Sequence, residues 1–342
     1  MTKPEESLAT AENSRVRDPV VNTPQPQRNV LRSLSERPYY YVILVCLLSI
    51  FVSFLVSNPD NSDAKSSAIL EPSIVHKRVV AIGDLHGDFE SALKVLQLAK
   101  LVDAEGSWIG GDDILVQTGD IVDRGPDTLR LYQYFFKLSS DAANRGGQVI
   151  NLLGNHEIMN FAGDYRYVHP ADDLGSSKEP RLSAFNTEGI LGSHLLRWNI
   201  TTIVSDTVFS HADLHPRWAK HGIAKINSIA HKKLYGDEKS NQERNWRWRY
   251  FGGLFGDDGP VWYRGFALGE DEAEVCRGIK ESLELLKVKR MVVGHTTQRN
   301  GKVLTRCNGL YYVIDVGISR AYGNSIAALE INGDLVKPIY PN

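Results

Sequence analysis

Apolar positions along this chain change their spacing twice, and each change marks a different kind of element. The first 38 residues are rich in Pro, Ser, Asn, Arg and Glu and show little apolar periodicity. That composition cannot bury enough surface to offset chain entropy, so residues 1–38 are expected to form a disordered tail. Residues 39–57, YYYVILVCLLSIFVSFLVS, are an unbroken apolar run with no charge and no helix breaker. About 20 apolar residues suffice for one bilayer crossing, and three leading tyrosines suit the interfacial aromatic belt, so one transmembrane helix is expected here. Residues 58–77 return to Pro, Ser and Asp and read as a linker.

From residue 78 to 342 the pattern is that of an α/β domain. Short β-branched or apolar runs at residues 78–82, 114–117 and 149–153 predict strands. Between them, Phe89, Leu93, Leu96 and Lys100 recur at helical spacing, and residues 128–138 predict a second helix. Residues 161–198 break the pattern with Pro170, Asp172, Asp173, Gly175 and Pro180, which predicts a helical or loop-rich insertion. Residues 201–204 and 207–210 read as a hairpin turning at Ser205-Asp206, and later strands are expected at 290–293, 311–314 and 325–331. Ligands of open α/β sheets sit beyond the carboxyl ends of the strands, so the loops after the first three strands should converge.

With 342 residues, 42% hydrophobic and 23% charged, the chain can bury one substantial core, or one domain plus a tail. A net charge of -2 argues against a generally basic nucleic-acid binder, and no nucleic-acid partner is expected. Arg28, Arg32 and Arg37 precede the apolar run, whereas no Lys or Arg follows it until Lys65. The positive-inside bias then keeps the tail cytosolic and places the domain in a lumen or outside, as in a single-pass type II signal anchor. A cleaved signal peptide would begin nearer the N-terminus. The sequon Asn199-Ile200-Thr201 would be usable only on that side. Cys46 lies in the apolar run, leaving Cys276 and Cys307 either to pair in an oxidising lumen or to stay as buried free thiols.

Candidate chemistry sits where the strands should end. The runs are Gly83-Asp84-Leu85-His86-Gly87-Asp88, Gly119-Asp120-Ile121-Val122-Asp123-Arg124-Gly125, Gly154-Asn155-His156-Glu157, Ser210-His211-Ala212-Asp213 and Gly294-His295-Thr296. One such pair would be ordinary turn chemistry, but its repetition at every strand end points to a site. Two divalent metals about 3.5–4 Å apart need a shared carboxylate, further oxygen and nitrogen donors, and room for water and substrate. Asp84 and His86 can serve one ion, Asp120 can bridge, and Asn155, His211 and His295 can complete the second. Carboxylate, amide and imidazole donors without thiolate suit Mn, Fe or Zn.

His156 can reach past the metals to a leaving-group oxygen while Asp123 holds its other nitrogen, which makes the pair a candidate general acid. Arg124 offers a planar fork for phosphate oxygens. In Val261-Trp262-Tyr263-Arg264-Gly265, Arg264 is either a second phosphate clamp or a surface salt-bridge partner. The set implies a two-metal phosphoester hydrolase in which metal-activated water attacks phosphorus in line without a phosphoenzyme. Asn245-Trp246-Arg247-Trp248-Arg249-Tyr250 interleaves arginine and aromatics, either to extend a cationic groove or to pack one aromatic face on the core.

The motifs GDLHGD, GDIVDRG, GNHE, FSHADL and GHT resemble the calcineurin-like metallophosphoesterase superfamily, in its phosphoprotein phosphatase branch. GPVWYRG and DVGIS resemble the Shewanella-like phosphatases and fungal vacuolar endopolyphosphatases, and the resemblance covers roughly residues 78–332. It implies a four-layer α/β/β/α sandwich. It assigns Asp84, His86 and Asp120 to the first metal, and Asp120, Asn155, His211 and His295 to the second. It likewise gives His156 and Asp123 the acid role, and Arg124 and Arg264 the phosphate. Two departures concern specificity: Ala212-Asp213 follows His211 where Ser/Thr phosphatases have Gly-Gly, and no SAPNYC-type loop is present in the sequence. Taken with the expected lumenal topology, the resemblance implies an endopolyphosphatase cleaving phosphoanhydride bonds of inorganic polyphosphate in a vacuole or other endomembrane compartment. The alternative is a serine/threonine or tyrosine protein phosphatase. A catalytically dead, membrane-anchored binding protein is a third reading, opposed by the complete ligand and acid set.

Overall fold

Strands β1 (Val79–Ile82), β2 (Ile114–Gln117) and β3 (Gln148–Asn151) pair in parallel, with Ile82 opposite Gln117 and Gln117 opposite Asn151. In-step register brings all three carboxyl ends to one edge. The computed structural model describes residues 77–235 and 253–342. The expected tail, the apolar run at 39–57, nearly all of the linker and the segment Asn245 to Tyr250 lie outside the described residues. Among the described residues, no helix is long and apolar enough to cross a membrane.

The helices between these strands follow from capping and periodicity. Helix α1 (Phe89–Leu98) starts where the Asp88 side chain accepts the Ser91 N–H, and it buries Ala92, Val95 and Leu96. Helix α2 (Thr128–Ala143) buries Leu131, Phe135 and Leu138 at helical spacing. Helix α3 (Asn155–Phe161) begins directly after Gly154, so Asn155 and His156 are its first residues. The irregular stretch at 161–198 contains helices α4 (Lys178–Phe185) and α5 (Gly192–Leu195) joined by loops, as its composition predicted.

Strands β4 (Thr201–Val204) and β5 (Thr207–Ser210) form the expected hairpin, with Ser205 at φ 53° in the turn. Short helix α6 (Pro216–Ala219) and helix α7 (Ile223–Tyr235) follow. After α8 (Gly265–Leu268) and α9 (Glu272–Leu286), strand β6 (Arg290–Val293) pairs in parallel with β5. Strands β7 (Leu304–Arg306), β8 (Tyr311–Val313), β9 (Ala328–Asn332) and β10 (Leu335–Ile339) complete two five-stranded sheets, ordered β10-β9-β1-β2-β3 and β4-β5-β6-β8-β7.

Period-two alternation builds the layers. Val79 and Ala81 of β1, Phe209 of β5, Val292 of β6 and Leu329 of β9 share one buried cluster, so the two sheets pack face to face. Their neighbours Val80, Ile82, Val208, Met291 and Val293 join the larger cluster that holds the helical faces. The result is the expected α/β/β/α sandwich, and burying each of these large aliphatic side chains contributes about 1.5–3 kcal/mol. Cys276 on α9 and Cys307 form a disulfide, which settles the alternative left open by the sequence.

Candidate dinuclear metal centre

All six expected ligand residues meet beyond the carboxyl ends of β1, β2, β5 and β6 and at the start of α3. Asp120 is the hub. Its Oδ2 lies 3.4 Å from His211 Nε2, 3.7 Å from His86 Nε2 and 3.9 Å from His156 Nε2. Two donor groups result, His86-Asp120-His156 and Asp120-His211-His295, and each gathers its ligand atoms within 4.8 Å while sharing Asp120. Asp84 Oδ2 lies 3.9 Å from His86 Nε2 and accepts the His295 N–H at 3.2 Å. Asn155 Oδ1 stands 2.8 Å from His211 Nε2.

The local backbone explains how such short runs can aim their side chains. His86, Asp120, Asp123, Arg124 and His295 all adopt positive φ, between 42° and 70°, a region that costs most L-residues about 1–2 kcal/mol. Two glycines allow the loops to approach. Gly119 sits at φ 100°, where a Cβ would fall 2.5 Å from the Gly154 nitrogen, and a Cβ on Gly294 would fall 2.4 Å from Asp84 Oδ1. Glu157 then fastens the loops together. Its Oε2 accepts the N–H groups of Asp120 at 2.9 Å and Gly154 at 2.7 Å. Its Oε1 accepts the Ile121 N–H at 2.9 Å and the Tyr132 hydroxyl at 2.8 Å.

Hydrogen bonds also choose which ring nitrogen is free. Backbone carbonyls bind Nδ1 of His86 and His211, from Val122 at 3.2 Å and Thr118 at 2.9 Å, so that both Nε2 atoms face the centre, that of His211 beside Asn155 Oδ1. The carbonyl of Trp262 binds His295 Nε2 at 3.1 Å and leaves Nδ1. Burial, with His156 nearby, lowers His86 to about 3. Burial, with His211 and Arg264, holds His295 well below the usual imidazole value. The Asp84 carboxyl is pushed well up by burial and by the charges of Asp315 and Asp120. Neutral imidazoles facing crowded carboxylates form a pocket short of positive charge, and this oxygen and nitrogen donor set fits a pair of divalent cations.

The structure brings His156 and Asp123 together. His156 Nδ1 lies 2.8 Å from Asp123 Oδ2. Burial disfavours the charged ring, but Asp120 and the Asp123 hydrogen bond more than offset it, and the His156 pKa is raised. Arg124 and Arg264 both line the same cleft of about 240 Å³. The Arg124 guanidinium lies 3.9 Å over the Tyr167 ring, and its buried Nε has no hydrogen-bond partner. Arg264 approaches His295 at 3.5 Å and, among the described residues, has no carboxylate partner within salt-bridge distance, so its place in the cleft favours the phosphate-clamp reading. A larger groove of about 620 Å³ lies around Phe266 and His215, but the metal-type donors gather in the smaller cleft.

Sequence reading missed several contributors. Asp315, just beyond β8, is buried near Asp84 and accepts the Thr297 hydroxyl at 2.6 Å. The strand-end rule applied to the expected strand at 311–314 would have found it. Tyr167 and Tyr322 line the cleft, with Tyr322 stacked on His86 at 4.7 Å. Arg181 lies fully buried behind Asp123. Neither tyrosine carries a local sequence signal.

Residues 77–299 match the calcineurin-like phosphoesterase family, and the chain belongs to that family. It is a metal-dependent phosphoesterase. Shewanella-like protein phosphatase 2 of Arabidopsis thaliana is 28% identical over 83% of this chain and 83% of its own length. Shewanella-like protein phosphatase 1 of Plasmodium berghei is 31% identical over 71% of this chain and 67% of its own. A crystal structure of a cold-active protein-tyrosine phosphatase from a psychrophilic Shewanella species superposes with a TM-score of 0.64 at 26% identity, covering 77% of this chain and 80% of that one. The zinc-dependent endopolyphosphatase of Saccharomyces cerevisiae is 24% identical over 46% of this chain and 40% of its own length.

Proposed function

We propose that this cleft hydrolyses phosphomonoesters on protein side chains, with phosphotyrosine favoured over the aliphatic esters. The observation that carries the reading is the wall of the cleft. Tyr167, Trp262, Tyr322 and Leu268 line it, while its arginines are Arg124 and Arg264 alone among the described lining residues. Two guanidinium groups match one phosphoryl group, and aromatic walls match an aryl ester. A long polyanion would call for a cationic track. The polyphosphate reading is favoured by the likeness to the yeast endopolyphosphatase and by the lumenal topology expected from residues 39–57, and it stands second.

In this proposal Asp84, His86 and Asp120 would hold one divalent ion, and Asp120, Asn155, His211 and His295 would hold the other. Such a pair supplies a water ionised near neutral pH and neutralises charge building on the phosphoryl oxygens. The protein does the rest. Arg124, held flat on Tyr167, and Arg264 orient the phosphoryl group for in-line attack. His156 donates the proton on Nε2 to the departing oxygen, while Asp123 keeps Nδ1 protonated and balances the ring's charge. Tyr167, beside both Arg124 and His156, packs on the leaving group.

Purified protein assayed on phosphotyrosine, phosphoserine and phosphothreonine peptides and on polyphosphate chains tests the reading. The expected order in kcat/KM is phosphotyrosine first and polyphosphate last. A preference for polyphosphate would transfer the conclusion to the second reading, and protease protection of the domain in intact vesicles would then support its topology.

A further inference from the structure

We propose that Arg181, on helix α4 of the 161–198 insertion, is a positioning residue for the proton donor: it fixes the plane in which the Asp123 carboxylate meets His156. The inference rests on the proposed role of His156 as proton donor. Asp123 is fully buried, and its Oδ2 meets His156 Nδ1 at 2.8 Å. The neighbouring amide of Asn160 favours neither edge of the carboxylate, because Asn160 Nδ2 stands 3.1 Å from each oxygen. Arg181 supplies the second fixed point. Its NH2 donates to Oδ1 at 3.2 Å, which holds the carboxylate plane with Oδ2 toward the imidazole.

The same guanidinium fixes the amide. Arg181 Nε donates to Asn160 Oδ1 at 3.0 Å, so the Asn160 NH₂ group must face Asp123. On its far side, NH1 donates to Asp172 Oδ1 at 2.8 Å, and Asp172 Oδ2 accepts the Thr128 hydroxyl at 2.6 Å. A chain of bonds thus runs from helix α2 through the insertion to the imidazole. A planar fork spreads its donors over several ångströms to reach these acceptors, the Gly175 carbonyl at 3.4 Å among them, whereas a lysine ammonium offers three donors from a single nitrogen.

Stability alone does not account for this arrangement. A guanidinium with 0% exposure loses its hydration, and buried ion networks are often no more stabilising than well-packed apolar side chains. What the network supplies is one orientation of the Asp123 carboxylate, and through it one orientation of the His156 ring. A ring free to turn would present Nε2 to the leaving oxygen only part of the time.

The test is a leaving-group series of aryl phosphates, from 2,4-dinitrophenyl, which departs without a proton, to phenyl, which needs one. Metal content is matched between variants by elemental analysis. His156→Gln should lose roughly 10²-fold or more in kcat on phenyl phosphate and far less on the dinitrophenyl ester, the scale of general acid catalysis. Arg181→Met should show the same selectivity, with at least about tenfold greater loss on phenyl phosphate and KM changed less than about twofold on both. Arg181→Lys keeps a cation between the buried acids and should give a smaller loss of the same shape. It carries the test if Arg181→Met does not fold. Equal losses across the series in the Arg181 variants, no loss, or losses that track metal content overturn the proposal. If His156→Gln itself shows no selectivity, the proton-donor reading fails instead, and the two failures are distinguishable.

Discussion

Replacing Glu157 by glutamine tests how far one carboxylate holds the centre together. Its two oxygens accept four buried donors, two apiece: the N–H groups of Asp120 and Gly154 at Oε2, and the Ile121 N–H and the Tyr132 hydroxyl at Oε1. Glutamine keeps one carbonyl oxygen and turns an NH₂ group toward the other pair; with that group at the Oε1 place, the Tyr132 hydroxyl turns to accept from it and the Ile121 N–H loses its acceptor. One buried unsatisfied donor costs about 1–3 kcal/mol, which sets the destabilisation. For a domain of this size that corresponds to a fall in Tm of about 2–12 °C. Because the orphaned Ile121 amide adjoins Asp120, metal affinity should fall with stability. Urea unfolding and calorimetry of the metal-loaded and metal-free protein, with metal titration by competition, measure both. A Glu157→Gln protein within about 0.5 kcal/mol of the wild type would refute the accounting, since a surface substitution produces no larger change.

Three further outcomes follow from the same geometry. Asp213, buried against Tyr311 and the N–H groups of Phe266 and Ala267, is raised by burial from 3.8 to about 6. Its contribution to stability is therefore present below the unfolded value and lost as pH rises through about 6, a swing of roughly 3 kcal/mol, and Asp213→Asn should flatten that limb of the stability–pH curve relative to wild type. Stripping metal with a chelator should lower Tm less as pH falls, because burial, Asp315 and Asp120 raise Asp84 and so favour its protonated form, which competes with a cation. An equal shift at every pH would refute the charge argument. Tyr167→Ala removes the ring beneath Arg124 and should lower kcat/KM for both phosphopeptides, with about 2- to 12-fold more loss on phosphotyrosine than on phosphoserine, since the aromatic contact contributes about 0.5–1.5 kcal/mol and only the former makes it. Equal losses on both peptides would remove Tyr167 from substrate selection.

The parts of the site that lie at strand ends were legible, because a strand followed by Gly-Asp or Gly-Asn-His is both a turn signal and a source of ligands. Asp84, Asp120 and Asn155 obey that rule, His86 follows two residues after Asp84, and His211 and His295 stand just past the ends of β5 and β6. Strand β10 escaped because Pro338 interrupts its apolar run, and the fold tolerates it since β10 is an edge strand paired on one side with β9. Strand β7 spans Leu304–Arg306, too short for alternation to register. Arg181 and Tyr167 were invisible for a different reason. They come from the 161–198 insertion, whose irregular composition predicts loops and short helices but not the direction of any side chain. Which residue of such a segment reaches Asp123 or Arg124 is decided by tertiary packing. The Cys276–Cys307 pairing is of the same kind, since it joins positions 31 apart that only the docking of β7 beside α9 brings together.

The left-handed backbone at His86, Asp120, Asp123, Arg124 and His295 has a practical corollary for anyone breeding sturdier variants of this enzyme. Glycine is the residue that relaxes such torsions at no steric penalty, so a library selected for heat resistance alone, without metal, should drift toward glycine at those five codons. Selection for robustness and selection for turnover would then pull the same loops in opposite directions, and activity must be screened alongside every gain in melting point.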